Sequence, residues 1–214
     1  MARIEYKWDD AKFNSYEGAN PENLYSALPD TYKTAGKPTL VFLTSDLADD
    51  AQYMKNIEGT TLMDENVQIG AGMFNQLKMN GNKVKDTNPF WKILGGKSLP
   101  RMVVVDHSGA KVGAVEAQDI SPSKVFGLMK RAASKVYKTD LEAIVKESKT
   151  ILTEIDQIEA KRAALATKKA SSTKQKESEW AKEEAALNEQ MKAVEARDLA
   201  LKKKWNEDKK VTKA

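Results

Sequence analysis

Apolar residues follow two different patterns along this chain. Short apolar runs, separated by Gly and Pro, lie in the first 127 residues, and a sparse, regularly spaced set of apolar residues follows them. Every Gly and every Pro also lies in the first 127 residues. Because Gly and Pro turn or interrupt a chain, their absence from Leu128 onward predicts long helices. We therefore expect a compact head followed by a helical arm.

Four segments of the head have the pattern of β-strands. Residues 39–44 and 102–105 are short apolar runs rich in β-branched side chains, which is typical of buried strands. Residues 73–79 alternate apolar and polar side chains, which predicts a further strand. Residues 111–116 follow a tight turn at 106–109, so we expect them to return as an antiparallel strand.

Short helices are predicted between these strands. A helix over residues 47–57 would be capped by Ser45 or Asp46 and ended by Gly59. Its position directly after the first strand gives the head an alternation of strands and helices.

Further capping signals predict the remaining helices of the head. Residues 20–35 are expected to form short helical turns. Asn88 and Pro89 open a brief helix that ends before Gly95. A last helix is expected over residues 121–137, since a Ser-Pro pair begins it.

The order of these elements, over about residues 20–138, resembles the thioredoxin fold. Lys37 and Pro38 precede the first apolar strand, as in many bacterial thioredoxin-like domains. The residues of 106–109 match the Asp-x-x-Gly hairpin of that family. The resemblance implies an α/β domain with a central mixed four-stranded sheet and flanking helices.

The redox motif of that family is degenerate in this chain. The resemblance places the Cys-x-x-Cys positions on Ala48, Asp49, Asp50 and Ala51, so alanines would stand at both cysteine positions. The acidic residues here are expected to cap the helix and offset its dipole, whereas a cation site is the less favoured alternative. Since the central Gly and distal Glu of an EF-hand loop are missing, that kind of calcium site is not indicated.

Leu99 and Pro100 match the cis-proline loop of the family. The resemblance implies a cis peptide bond here and a groove in which the backbone of Leu99 pairs with an extended peptide. The alternative is that Pro100 only shapes the loop and packs in the core.

The arm carries two sets of apolar residues with alternating spacings of four and three, which is the seam of a coiled coil. The candidate interface residues are Leu141, Ile144, Ile151, Ile155, Ile158, Leu165, Trp180, Leu187, Met191, Val194, Leu201 and Trp205.

Capping-box sequences begin at Thr139 and at Ser172, and they divide the arm into two helices of similar length. We therefore expect an antiparallel helical hairpin. The alternatives are one helix continuing from Ser121 and one helix running through Ser172. Trp180 and Trp205 either pack inside the hairpin or anchor a partner.

Three domains follow from these patterns. They are an N-terminal extension with a leading helix over residues 1–36, a thioredoxin-like domain over 37–138, and a coiled-coil hairpin with a basic tail over 139–214. The last lysines of that tail are expected to offset the helix dipole at a solvated end.

The composition narrows the possible chemistry. The chain has no Cys and a single His, His107, which lies in a predicted turn. Thiol chemistry, thiolate metal sites and His pairs are therefore excluded, and we expect no metal and no cofactor. The net charge of +4 comes from 35 basic and 31 acidic residues, which fits a mixed, solvated surface better than a nucleic-acid footprint.

The first ten residues lack the apolar core of a secretory signal, and no apolar run is long enough to span a membrane. These features predict a cytoplasmic protein without membrane insertion. A secreted protein whose signal had been replaced by Met would have the same sequence.

The sequence favours a non-catalytic, redox-inactive thioredoxin-like protein that serves as a structural or adaptor subunit of an assembly. Its partners would be other protein subunits, or a second copy of the chain, bound through the coiled-coil arm. One alternative is a peptide-binding, chaperone-like module that uses the groove at Leu99 and Pro100. Another is a nucleic-acid-associated protein that uses the lysine-rich tail. An enzyme is not expected.

Overall fold

A computed structural model describes residues 8–10, 25, 36–171 and 177–207. The chain divides into two compact units, one of which ends at Ala143, while the other begins at Ile144. Apart from Tyr25, the helical turns predicted over residues 20–35 lie outside the described residues, as do the Ser172 capping box and the lysines after position 207.

The first unit contains a mixed sheet whose strands are β1 (Asp9–Asp10), β2 (Thr39–Thr44), β3 (Asn75–Asn80), β4 (Arg101–Val105) and β5 (Lys111–Glu116). Their order across the sheet is β1-β3-β2-β4-β5. Strand β3 runs parallel to β1 and β2, whereas β4 is antiparallel to both β2 and β5. The four predicted strands are therefore present, and the two-residue β1 adds a fifth.

The helices of the first unit are α1 (Ala51–Asn56), α2 (Glu65–Ala71), α3 (Phe90–Leu94) and α4 (Pro122–Val136). One face of the sheet packs against α3, in a core that joins alternate residues of β2, β3 and β4 to Phe90, Trp91 and Leu94. On α4, buried residues recur at helical spacing, from Val125 to Val136. An α/β architecture with flanking helices follows from this packing.

Helix α2 packs closely against α4. A Cβ atom added at Gly70 would stand 3.0 Å from the methyl carbon of Met129 and 3.3 Å from the ring of Phe126. Glycine therefore allows the close approach of these two helices.

The region predicted as one helix over 47–57 is built differently. A 3-10 turn over Ala48–Asp50 leads into α1, and a π-helical turn follows over Ile57–Thr61. Gly59 lies inside that turn, so the prediction that Gly59 ends the helix is wrong. In this turn each amide bonds to the carbonyl five residues earlier, so the helical path continues past Gly59.

The cap predicted at Ser45 or Asp46 is also wrong in detail. The N-cap residue is Leu47, which has no side-chain cap. The amide of Asp46 instead donates to Oδ1 of Asn82 at 2.9 Å, and the hydroxyl of Ser45 donates to the same atom at 3.2 Å. A contact distant in sequence thus replaces the local cap.

Strand β3 begins two residues later than predicted. The amides of Met73 and Phe74 donate to the carbonyls of Gly70 and Ala71, at 3.0 and 2.9 Å. These bonds extend the turn at the end of α2, so the ladder with β2 starts only at Asn75.

The second unit is a helical hairpin of α5 (Leu141–Ser171), whose first residues belong to the first unit, and α6 (Glu177–Glu207). Each has 31 residues and spans about 46 Å. Helix α5 begins after a break behind α4, which excludes one helix continuing from Ser121. Its first turn is capped by Oδ1 of Asp140, which accepts the amide of Glu142 at 3.1 Å, one position beyond the Thr139 predicted for this role.

Contacts between charged and polar side chains fix the direction of the two helices. Lys169 pairs with Glu184 at 2.6 Å, and Arg197 pairs with Glu154 at 2.7 Å. Residues near the end of α5 thus contact residues near the start of α6. Residues in the first half of α5 contact residues in the second half of α6. The two helices are therefore antiparallel, so α5 and α6 are not parts of one continuous straight helix.

Candidate functional site

The four positions that the resemblance matches to the redox motif follow β2. Ala48, Asp49 and Asp50 form the 3-10 turn, and Ala51 opens α1. None of their side chains is buried as a core residue, since Ala48, Asp49 and Ala51 are exposed and Asp50 is half-buried. These four positions present two methyl groups and two carboxylates, and they hold no thiol.

The Leu99–Pro100 bond is cis, as the resemblance implies. Arg101 pairs with Leu43, so Pro100 lies at the end of the sheet where β2 leads into the turn over Ala48–Asp50. The carbonyl of Pro100 accepts the amide of Ala117 at 2.8 Å. The amide and carbonyl of Leu99 make no hydrogen bond within the part of the chain that the structure describes. A role of this loop in binding an extended peptide stays a prediction.

An open apolar depression of about 640 Å³ lies beside the turn over Ala48–Asp50. Its apolar lining consists of Leu47, Ala48, Ala51, Met54 and Met63. Two of the three large apolar side chains of the lining are well exposed, with 55% of Leu47 and 58% of Met63 accessible to solvent. Together these two side chains form a small exposed apolar patch.

This depression, which we call the docking surface, is displaced from the predicted groove. Leu99 and Pro100 do not line it. The side chain of Leu99 instead lies against Gly81, where an added Cβ atom would stand 2.4 Å from its Cδ2. Of the positions matched to the redox motif, Ala48 and Ala51 thus line the docking surface, whereas Asp49 and Asp50 do not.

Charged groups border the docking surface unevenly. Asp46 accepts a hydrogen bond from Nδ2 of Asn80 at 2.9 Å, and Asp49 and Asp50 follow it in the chain. Over the described ranges, none of these three carboxylates forms an ion pair. The lysine in the lining is Lys55, at the far end of α1.

The third charged residue of the lining, Glu58, takes part in an ion pair. Glu58 pairs with Lys78 at 3.1 Å, and the ammonium of Lys78 also lies 5.9 Å from the ring centre of Phe42. Among the described residues, Asp46 is therefore the acidic residue of the lining that has no ion pair.

Buried titratable groups elsewhere in the first unit serve packing. The Tyr25 hydroxyl lies within hydrogen-bond distance of Thr39 and of the carbonyls of Lys37 and Asp106, and burial raises the pKa of this phenol. Burial also raises the pKa of Tyr137, whose hydroxyl donates to the carbonyl of Met73 at 2.7 Å. Both phenols are held neutral.

His107 lies in the turn between β4 and β5, as predicted, and it is half-buried. Its Nδ1 atom is buried without a hydrogen-bond partner. Among the described residues, no group of three His, Asp or Glu side chains is placed to hold a metal ion.

The predicted arm interface is occupied within the chain. Ile151, Ile158, Leu165, Leu187, Met191, Val194 and Leu201 form one buried cluster, and Ile155, Trp180 and Trp205 pack against it. Both tryptophans therefore take the packing role that the sequence left as one of two alternatives.

Two residues of the predicted seam do not belong to that cluster. Leu141 lies in the first unit, where its Cδ2 atom would be 3.6 Å from a Cβ atom built at Gly70. Ile144 is buried, but it is outside the hairpin cluster. The paired part of the seam on α5 thus begins at Ile151.

The sequence did not single out Leu47, Met54 or Met63. A single apolar residue in a mixed segment resembles a core position until its exposure is known. The available signal was the insertion of Leu47 and Ala48 among acidic residues directly after a buried strand.

No family model and no curated protein matches the chain. Over the residues that the structure describes, no helix combines the length and the apolar character that crossing a bilayer requires.

Proposed function

We propose that this protein is a non-catalytic adaptor with a redox-inactive, thioredoxin-like head that binds a segment of another protein at the docking surface. The hairpin is a self-paired rod that carries or spaces the head in an assembly. The observation that carries this proposal is the joint exposure of Leu47 and Met63 in one depression.

The thioredoxin-like character is supported by the sheet. Strand β2 lies between a parallel neighbour, β3, and an antiparallel neighbour, β4, and a hairpin joins β4 to β5. The non-catalytic character is supported by the sequence, which contains no Cys. Without a thiol the chain cannot itself form the mixed disulfide through which thiol–disulfide exchange proceeds.

The energetics favour binding at the docking surface. Removing a Leu or Met side chain fully from water stabilises a complex by about 1.5–3 kcal/mol. Because Leu47 is 55% exposed and Met63 is 58% exposed, covering both contributes about 2–3 kcal/mol. The partner's own apolar side chains therefore have to supply the rest of the free energy that offsets the cost of association.

Attachment through the arm seam is less well supported. The seam residues from Ile151 to Leu201 are covered by the other helix of the same hairpin. A partner helix would have to displace α5 or α6 to reach them, and the ion pairs of Lys169 and Arg197 would be lost. Any contact through the closed arm would use its outer, polar faces.

A random peptide library displayed on phage, panned against the full chain, tests the proposal. We expect enriched peptides that bind the wild type and lose about tenfold or more in affinity, or about 1.4 kcal/mol, when Leu47 and Met63 are both replaced by Asp. Leu199→Asp is the matched control, since Leu199 is 69% exposed on α6. Circular dichroism and thermal unfolding establish that each variant is folded.

The proposal fails if folded wild-type protein enriches no peptide. It also fails if the enriched peptides bind the Leu47→Asp/Met63→Asp variant as well as they bind the wild type.

A further inference from the structure

The net positive charge of the chain is concentrated in one stretch of its sequence. Between positions 83 and 111 there are six basic and two acidic residues, a net charge of +4, which equals the net charge of the whole chain. The other residues of the sequence therefore sum to zero. We infer that this region is a second interaction surface, separate from the docking surface, and that its partner is an acidic segment of another protein.

Five exposed lysines form this region, which we call the basic surface: Lys83, Lys85, Lys92, Lys97 and Lys111. The remaining cation of the stretch, Arg101, is buried and pairs with Glu116 at 2.8 Å. Asp106 is also buried, and it pairs with Lys135 at 3.0 Å. Both charges are compensated inside the first unit, so Asp86 is the acidic residue of the stretch that opposes the five lysines.

Two of these lysines lie at the C-terminal end of α3. Lys92 is in the last turn of this helix, and the Nζ atom of Lys111 lies 2.6 Å from a Cβ atom built at Gly95, the C-cap residue. Cations at this end of a helix offset its dipole, which accounts for these two positions within the fold. That explanation does not extend to the other three lysines, which lie outside α3.

Two contacts hold those three lysines beside the helix. The indole N–H of Trp91 donates to the carbonyl of Lys85 at 3.0 Å, which fixes the segment of Lys83 and Lys85 against α3. The Nζ atom of Lys97 lies 3.8 Å from Oδ1 of Asp86. Within the described ranges, this long and exposed pair is the one ion pair that the five lysines form, and such a pair contributes little. The surface around α3 therefore stays basic.

The chemistry of the basic surface favours an acidic protein segment over a nucleic acid. Arginine, which binds phosphates and base edges through paired donors, is represented here by the buried Arg101. Phe90 and Trp91 are buried as well, so neither ring can stack on a base. The lysine ammonium groups are flexible point charges, which suit carboxylates on a mobile chain.

The apolar residues among the lysines disfavour a membrane surface. Proteins that lie on a bilayer add apolar side chains to their lysines and bury them among the lipids. Val84, Ile93 and Leu99 instead pack against the core of the first unit. The basic surface thus offers charge without an apolar anchor, so binding should be weak and sensitive to salt.

Anionic probes of different chemistry test this inference. They are a fluorescein-labelled oligo-glutamate peptide, a labelled oligothymidylate of the same net charge, and vesicles that contain phosphatidylserine. Fluorescence anisotropy, or co-sedimentation for the vesicles, gives the affinity of the full chain at low and high salt. We expect the peptide to bind more tightly than the other two probes, and to lose about tenfold in affinity at high salt.

A triple variant assigns the binding to the basic surface. Lys85→Gln/Lys92→Gln/Lys97→Gln removes three exposed charges and should weaken peptide binding about tenfold. Lys111 is left in place, because its ammonium group lies against Gly95. Thermal unfolding checks that the variant is folded.

The matched control is Lys161→Gln/Lys168→Gln/Lys182→Gln, which removes the same charge from exposed positions of the hairpin. It should change the affinity for the peptide by about twofold or less. Equal losses in the two triple variants would reveal an effect of net charge alone and overturn the inference. An affinity that the first variant leaves unchanged would also overturn it.

The other probes decide the class of partner. Tighter binding of the oligothymidylate or of the vesicles than of the peptide would overturn an acidic protein segment as the partner, as would a folded wild type that does not bind the peptide. None of these outcomes bears on the proposed function, because the lining of the docking surface shares no residue with the basic surface.

Discussion

The guanidinium Nη2 of Arg101 lies 2.8 Å from Oε2 of Glu116, across the antiparallel ladder of β4 and β5. The Arg101 side chain is 2% exposed and also donates to the carbonyls of Ser98 and Leu94. A buried cation thus joins the last turn of α3, the loop before β4 and strand β5. Gly96 lies against it, since an added Cβ atom would stand 2.9 Å from Nη2.

Glu116→Gln should destabilise the head by about 2 kcal/mol, because it removes the anion that compensates a buried guanidinium. Urea unfolding followed by fluorescence measures the change. Asp119→Asn, which breaks the exposed pair with Lys124, is the control and should cost about 0.5 kcal/mol or less. Equal losses in the two variants would contradict the structural role of Arg101.

Ala117→Gly should stabilise the protein. Ala117 has φ of 45°, which is the left-handed region that side chains with a Cβ atom disfavour by about 1 kcal/mol or more. The gain is expected as a higher urea midpoint with an unchanged slope. Ala110→Gly is the matched control, because Ala110 has no such φ, and it should leave stability unchanged or lower it.

Asp106 should make the stability depend on pH. Burial raises the pKa of its carboxyl group, but hydrogen bonds from Ser108, Lys135 and the amide of Ala110 outweigh that effect, so the pKa lies below its usual value. The ionised group therefore stabilises the native state above the unfolded pKa, and this contribution is lost as the pH falls through the native pKa.

Asp106→Asn tests this linkage. We expect the variant to be less stable than the wild type by about 1–2 kcal/mol at pH 6, with a difference that narrows as the pH falls below about 4. Urea unfolding at each pH gives both stabilities. A difference that is constant across this range would show that the ionised carboxylate is not responsible.

The hairpin should be cross-linked within one chain by a short bismaleimide reagent. The absence of Cys provides a clean background. In the Glu154→Cys/Arg197→Cys variant the two thiols replace side chains that form an ion pair between facing helices, so a reagent that bridges the gap left by those long side chains should give a cross-linked monomer at any protein concentration. Non-reducing electrophoresis and mass spectrometry identify the product.

The control for this variant is Glu154→Cys/Lys182→Cys. Lys182 lies 15 residues from Arg197, or about 22 Å along α6, which is too far for a short bismaleimide in the closed hairpin. Cross-linked dimers whose yield rises with concentration, formed by the Glu154→Cys/Arg197→Cys variant, would instead show that the helices pair between chains.

Patterns that repeat along the chain were predicted well from sequence. The apolar run of β2 had to be buried on both faces, and the apolar spacing from Ile151 to Leu201 required a helical partner. The hairpin followed because two seams of equal length lie on either side of a polar break. These conclusions depend on periodicity, which sequence shows directly.

The ends of helices were predicted less well from sequence, because contacts between residues far apart in the chain decide where a helix begins and ends. The amide of Asp46 is held by Asn82, so the cap expected from Ser45 or Asp46 does not form. Gly59 does not end the helical segment, because the chain continues through it in a wider, π-helical turn. The burial of Arg101 could not be predicted from sequence either, since the groups that accept its hydrogen bonds lie in three separate segments of the chain.

The docking surface was only partly predictable. The resemblance pointed to Ala48–Asp50, but the adjacent apolar lining depends on the exposure of Leu47 and Met63, which lie 16 residues apart. Only the folded chain brings these two side chains to one depression.

Methionine methyl resonances test the central claim most directly. The chain has 8 Met residues, of which Met54 and Met63 line the docking surface, Met102 is buried in the sheet and Met191 lies in the hairpin. In protein labelled with ¹³C at the methionine methyl groups, a library-selected peptide should shift the signals of Met54 and Met63 in a saturable way. Binding that leaves those two signals unchanged, or that shifts Met191 instead, would contradict the account.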